Sequence, residues 1–490
     1  MGICRRQFCA SMVAGAVSRL GALPARPKLL VLVIVEQFRP DYLDAARPQF
    51  STGGFRRLLE KGAYFPDCRH YASTFPSTTI ATLATGAWPT QHGIVADRWY
   101  DRAIRSAVSA SGEELLATTL AAQVAAEPRA RVSVIAMNQA HAGLFAGTPD
   151  ARVYWMDDEC EFATAGDAPD WLPAFNGQKM VESMRNKEWK ALNARPDAPA
   201  LRTLKYTPDR PAEYLTLYRS SPFAQAAQFE FLTELIARDK LGQGNTLDLV
   251  CMILQSSAML GYDTGGRSPL MREMVLHLDR KLEILLGQLA KTAGDNAFSL
   301  VVAGAHGAPP EPAEDARQRM SVKGESIAQQ VDKSLISAGI GRVEKYLYPF
   351  LYLDPGGSRD PEPIRQLAAR AALRHPAVDG YYTAGGACST HNEWEQRFRN
   401  SFHAARSGDV MLSYHAEYVE DYAQGRGVSY GSLYNYDVRA PLFLYGPQFK
   451  PGSYEYPVES VDLAPTLARV LGVSTPSSGM GRVLGEALAE

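Results

Sequence analysis

An acid at the end of an apolar run, and hydroxyls at the start of a helical pattern, are the residues of this chain best placed to act on a substrate. LLVLVIV over 29–35 is unbroken hydrocarbon and then stops at Glu36, the pattern of a buried parallel strand. In an open α/β sheet ligands bind outside the carboxyl ends of the strands, so a carboxylate there suits metal binding or acid–base work. It equally suits capping of the next turn. Downstream, Thr74 and Ser77 precede a helical pattern closed by Gly86. The first turn of a helix offers free N–H groups and positive potential, so hydroxyls there fit phosphate chemistry. The same two residues could serve as plain N-caps.

These groups need a sheet to hold them. Further apolar runs predict strands at 63–65, 132–136, 247–254, 299–303, 346–353 and 378–383. Helical spacing predicts helices at 55–61, 77–85, 224–240, 271–289 and 361–374, with a closing amphipathic one in VDLAPTLARVLG. The strand at 132–136 should lead into a Gly-containing loop after Asn138, and the one at 247–254 should end in a tip reading QSSAMLGYDTGG. The strand at 299–303 ends in GAHGAPP, followed by a solvated loop. Residues 155–212 are polar, Pro-broken and dotted with aromatics, the composition of a surface insertion.

The chain has 490 residues, 46% of them hydrophobic, enough for one large α/β domain with insertions. Its net charge of -2 offers no electrostatic basis for binding nucleic acid or an anionic membrane. Arg5 and Arg6 ahead of an Ala/Gly-rich stretch resemble a twin-arginine export signal over residues 1–27, with 28–490 as the mature, periplasmic or secreted part. No later segment approaches the twenty or so apolar residues of a membrane span. Cys68, Cys160, Cys251 and Cys388 are widely spaced and form no CxxC pair, so a zinc knuckle is not expected.

Together the acid-tipped first strand followed by Gln-Phe-Arg, TLATGAWPTQHGIVADRWYD, DWLPAFN, SSAMLGYDTG, LVVAGAHGAP, RSGDV, YGSLYNYDVRAPLFLYG and DLAPTLARVLG resemble the alkaline phosphatase superfamily. The branch is that of the type I phosphodiesterases/nucleotide pyrophosphatases, with its PafA-type phosphatases. The resemblance implies a three-layer αβα sandwich around a mostly parallel sheet, with inserted cap segments near 155–225 and 354–425. It also implies phosphate ester hydrolysis by a Thr or Ser nucleophile assisted by two zinc ions.

Carried across residue by residue, the family's six metal ligands fall on Glu36, Ala258, Tyr262, Ala305, His306 and Tyr430. Only Glu36 and His306 could still ligate zinc, which wants three protein ligands even in an open catalytic site. The nucleophile position falls on Pro76, with Ser77 or Thr74 recovered by a shift of register. The phosphate-contacting asparagine becomes Asp97, and a Lys-x-Arg phosphate clamp becomes Asn138 and Ala140. These losses lead to the expectation of a pseudoenzyme with no cofactor, binding an unidentified ligand or protein partner. His306 would be a satisfied buried histidine, with Tyr262 and Tyr430 filling the space near Glu36 and Asp97. The alternative is a phosphoric ester hydrolase with a remodelled site, using Ser77 or Thr74 with Glu36 and His306.

Overall fold

The computed structural model describes residues 24–309, 320–357, 359–389, 392–421 and 430–489. Most of the expected export leader, up to residue 23, lies outside these, as do residues 310–319, expected to be a solvated loop, and Ser429.

Seven apolar residues without a polar break make β1 (Leu29–Val35), and all seven are buried. Alternation sends Leu30, Leu32 and Ile34 into one hydrophobic core and Leu29, Val31, Val33 and Val35 into a second on the opposite face. That division makes three layers. The remaining main-sheet strands are β2 (Ala63–Arg69), β3 (Arg131–Ala136), β4 (Arg152–Met156), β5 (Phe162–Thr164), β6 (Asp248–Leu254), β7 (Phe298–Gly304) and β8 (Arg439–Tyr445). Their order is β2-β8-β7-β1-β6-β3-β4-β5, with two short strands beside β2. The five central strands from β7 to β4 run parallel, while β8 and β5 are antiparallel to their neighbours in that block. This is the mixed α/β architecture that the sequence led us to expect.

Six helices flank the sheet around the site: α1 (Pro76–Thr85), α2 (Gln139–Ala146), α3 (Pro222–Arg238), α4 (Ser256–Thr264), α5 (Pro269–Thr292) and α6 (Leu463–Leu471). Ile80 and Leu83 of α1, Leu144 and Phe145 of α2 and Leu467 of α6 line the core on the Leu30 side. Phe231 of α3 and Met274 and Leu278 of α5 line the other. A separate five-stranded sheet takes strands from Arg342–Leu347, Phe350–Asp354, Val378–Thr383, Cys388–Ser389 and Val410–Tyr414.

Several local expectations need correction. The run 346–353 is a hairpin rather than one strand, turning between Leu347 and Phe350, because Pro349 has no N–H to continue a ladder. The polar region from 155 does not begin as an insertion: Trp155 lies in β4, and β5 pairs with that strand. Within it, Leu172, Phe175 and Trp189 are buried beside Phe231, so its aromatics are core. The segment after Asn138 is helix α2, capped by the Asn138 side chain, and the tip after Leu254 is helix α4, with Ser256, Ser257, Leu260 and Gly261 buried. All four described cysteines are unpaired. Among the described residues no helix is long and apolar enough to cross a membrane.

Candidate active site

Register builds the site. Val35 pairs with Leu254 of β6 and with Gly304 of β7, so the next residues, Glu36, Gln255 and Ala305, emerge side by side at the carboxyl edge. The Glu36 N–H donates to Leu254 O at 3.0 Å, and the Ser257 hydroxyl donates to Glu36 O at 2.6 Å. Gln37 then turns the chain sharply at φ 54, and its carboxamide nitrogen donates to Ala258 O at 2.9 Å and Ser257 O at 3.1 Å. A Cβ on Gly261 would stand 2.2 Å from that carboxamide, which explains a glycine in the middle of α4.

The Glu36 side chain is 2% exposed and faces a residue that the motifs did not single out, His141. Oε1 of Glu36 lies 2.9 Å from His141 Nδ1, close enough for an ion pair though off the line of the ring N–H. On its other side, His141 Nε2 is 3.5 Å from the Ser77 hydroxyl. Glu36, His141 and Ser77 therefore form a carboxylate–imidazole–hydroxyl relay, each member less than a tenth exposed. Burial pulls the His141 pKa down, but the close negative charge of Glu36, helped by Asp97, outweighs it and leaves the imidazole above its ordinary value. Asn138 caps α2, accepting the His141 N–H at 2.8 Å, so it places the imidazole, while Ala140 faces solvent.

The hydroxyls separate in role. Phe75 occupies the N-cap of α1 and contributes no side-chain cap, with Pro76 as first helical residue; neither Ser77 nor Thr74 caps this helix. Thr74 donates its hydroxyl to Ser432 O at 3.0 Å and is fully buried. Ser77 donates its amide to Asp97 Oδ1 at 3.0 Å, so a carboxylate takes the anion position at the helix N-terminus. The neighbouring Thr78 hydroxyl is buried without a hydrogen-bond partner.

His306 is completely buried, with Nδ1 2.7 Å from Gly307 O and no partner for Nε2 among the described residues. It is thus only half satisfied, against expectation. Burial holds its pKa below the usual value despite Glu36, so it is neutral, with Nδ1 donating and a bare lone pair at Nε2. Tyr430 lies with its ring 5.5 Å from that of His306 and edge-on to Phe75 at 6.3 Å. Desolvation first, then the charges of Asp97 and Glu36 and a hydrogen bond to Asp97, push its phenol pKa well up. Tyr262 stands on α4, half-buried and near enough to Tyr430 to act on it electrostatically. The structure thus gathers Glu36, Ser77, Asp97, His306, Tyr430 and Tyr262 and adds His141, while Thr74 is committed elsewhere.

The donor set does not fit a metal pair. Alanine at 258 and 305 has no ligating atom, and among the described residues no three His, Cys, Asp or Glu side chains converge as a metal site.

A mostly parallel sheet between helical layers, with polar side chains gathered at its carboxyl edge, is the architecture of the alkaline phosphatase superfamily, and the comparisons place the chain there. The model described as type I phosphodiesterase / nucleotide pyrophosphatase matches residues 30–427. Alkaline phosphatase PhoV of Synechococcus elongatus is 25% identical over 519 residues, spanning 95% of this chain and 93% of that one. Alkaline phosphatase PafA of Elizabethkingia meningoseptica is 24% identical over 540 residues, spanning 96% of each. The crystal structure of PafA superimposes with a TM-score of 0.85 at 20% identity, over 96% of this chain and 100% of that one. Murine ectonucleotide pyrophosphatase / phosphodiesterase 5 gives 0.58 at 16% identity, over 94% and 100%. The chain belongs to the type I phosphodiesterase/nucleotide pyrophosphatase family.

Proposed function

We propose that this protein is an ester hydrolase in which Ser77, His141 and Glu36 do the work that the family resemblance assigns to a metal pair. The observation that carries this reading is the pair of contacts made by one imidazole, 2.9 Å to Glu36 and 3.5 Å to Ser77. In its neutral form His141 takes the Ser77 proton as the hydroxyl attacks. Glu36 orients the ring and stabilises the imidazolium that results. A base–nucleophile separation at the long end of the range is usual before substrate binds.

The test is covalent. An uncharged fluorophosphonate should modify Ser77 stoichiometrically, located by peptide mass spectrometry, with labelling lost in Ser77→Ala and His141→Gln. An unlabelled Ser77 in folded protein defeats the reading. It would leave the second one, an inactive member that binds a ligand or partner, which the depth of the site and Asp97 at the anion position favour. Export through the twin-arginine leader belongs to this proposal as well, and N-terminal sequencing of periplasmic material tests it.

A further inference from the structure

The charges around Ser77 say what kind of ester the relay would accept. Among the described residues, the formal charges that weigh most on His141, His306 and Tyr430 are the carboxylates of Glu36 and Asp97, while Arg39, at the same strand edge, directs its guanidinium to Asp41 and to Ala308 O. The backbone N–H that a helix N-terminus would offer a phosphate oxygen is instead taken by Asp97, 3.0 Å from Ser77 N. Tyr430 stands close enough to Asp97 for that carboxylate to help raise its phenol pKa. A phosphate ester, with one or two formal negative charges, would enter beside the carboxylates of Glu36 and Asp97, with the imidazoles of His141 and His306 as the facing nitrogen groups. A carboxylic ester is uncharged and meets no such repulsion.

Resting on the Ser77–His141–Glu36 reading, we infer that the substrate is an uncharged carboxylic ester, not a phosphate ester. The step balances without metal. The Ser77 oxygen bonds to the acyl carbon while its proton moves to His141 Nε2; the C–O bond to the alcohol then breaks, and His141 returns the proton to the departing oxygen. Water repeats the sequence on the acyl-serine, giving the acid and free Ser77. The oxyanion needs a donor that Asp97 does not occupy. The Thr78 hydroxyl, 1% exposed and without a hydrogen-bond partner, and the amide of the same first turn of α1 are the groups next to Ser77 in the chain.

Three substrates sharing one leaving group give the test: 4-nitrophenyl acetate, 4-nitrophenyl phosphate and bis(4-nitrophenyl) phosphate, assayed on the full chain with and without added zinc. The acetate should be turned over at least about 100-fold faster than either phosphate, in a Ser77-dependent way. Asp97→Asn, which keeps an oxygen for the Ser77 amide but removes the charge, should narrow that ratio by about tenfold or more. Fluorophosphonate labelling of Ser77 together with equal or faster phosphate turnover overturns the inference and leaves the relay standing. Absence of labelling removes both. If Asp97→Asn does not fold, the ratio in the unaltered protein decides alone.

Discussion

The two ends of helix α1 follow opposite rules. At its C-terminal end every group is committed to packing. Gly86 takes the left-handed conformation at φ 66, its N–H bonds Thr82 O at 2.9 Å, and a Cβ there would stand 3.0 Å from both Pro465 Cδ and Val461 O. A few residues on, His92 is locked between Thr82 and Ile94. At the N-terminal end the groups face one another across a polar cluster: Ser77 to Asp97 and His141, Phe75 to Tyr430. Substitutions at the C-terminal end open cavities or force overlaps, whereas those at the other exchange one polar partner for another. A fold can thus keep its scaffold while its site is rebuilt.

The largest effects should come from the N-terminal end and leave stability alone. Ser77→Ala and His141→Gln should each lower ester turnover by about 10³-fold or more, since members of a relay fail together. Glu36→Gln, which keeps a partner for the ring but loses the charge, should cost less than either. Melting temperatures should stay within a few degrees of the parent. If rate loss instead tracks loss of folded protein, the two ends do not differ in kind.

The reciprocal change is Gly86→Val. A branched side chain at a positive φ costs about 1–2 kcal/mol, and overlap with α6 adds about as much again, so about 2–4 kcal/mol of stability should be lost. Denaturant unfolding measures this, and the turnover of the molecules that remain folded should be unchanged. A loss below about 0.5 kcal/mol would show that the contact with Pro465 and Val461 yields easily.

The same division governs what could be read from the sequence. Strands such as 29–35 and 248–254, and helix α5, were legible because their hydrophobic period is set by burial, which is local in sequence. The fold followed from ordered motifs that hold the scaffold. Glu36, Ser77, His306 and Tyr430 were legible as positions, but the relay was not, because the family pattern directed attention to Asn138 and Ala140 and passed over His141 one residue later. A signal was present: Asn138 three residues before a lone histidine marks a helix N-cap, which puts that imidazole in the first turn beside the strand edge. The helical form of the tip carrying Ala258 and Tyr262 was not legible, because Gln37 holds α4 through its backbone carbonyls, a contact between distant segments that composition does not encode.

The smallest effect is an acid instability confined to the scaffold. His92 accepts the Ile94 N–H at Nδ1 (3.1 Å), so its proton resides on Nε2, toward the Thr82 hydroxyl at 3.1 Å. Burial first, with the charge of Arg406 in addition, holds its pKa down at about 3. Buried His70 is likewise held at about 3. In both cases the unfolded chain binds protons more readily than the folded one. Their contribution is therefore complete above the ordinary histidine pKa near 6.5 and is lost as pH falls from there toward 3. Each histidine should give a slope of about 1.4 kcal/mol per pH unit within that window. His92→Asn keeps an acceptor for Ile94 without a titrating proton, so the stability difference between parent and variant should change by about 2–3 kcal/mol between pH 6 and pH 4. Carboxylates with raised pKa values, such as Glu420 and Asp279, act equally on both proteins and cancel. A pH-independent difference would mean that His92 takes up its proton without unfolding and that the scaffold end of α1 is more yielding than its packing implies.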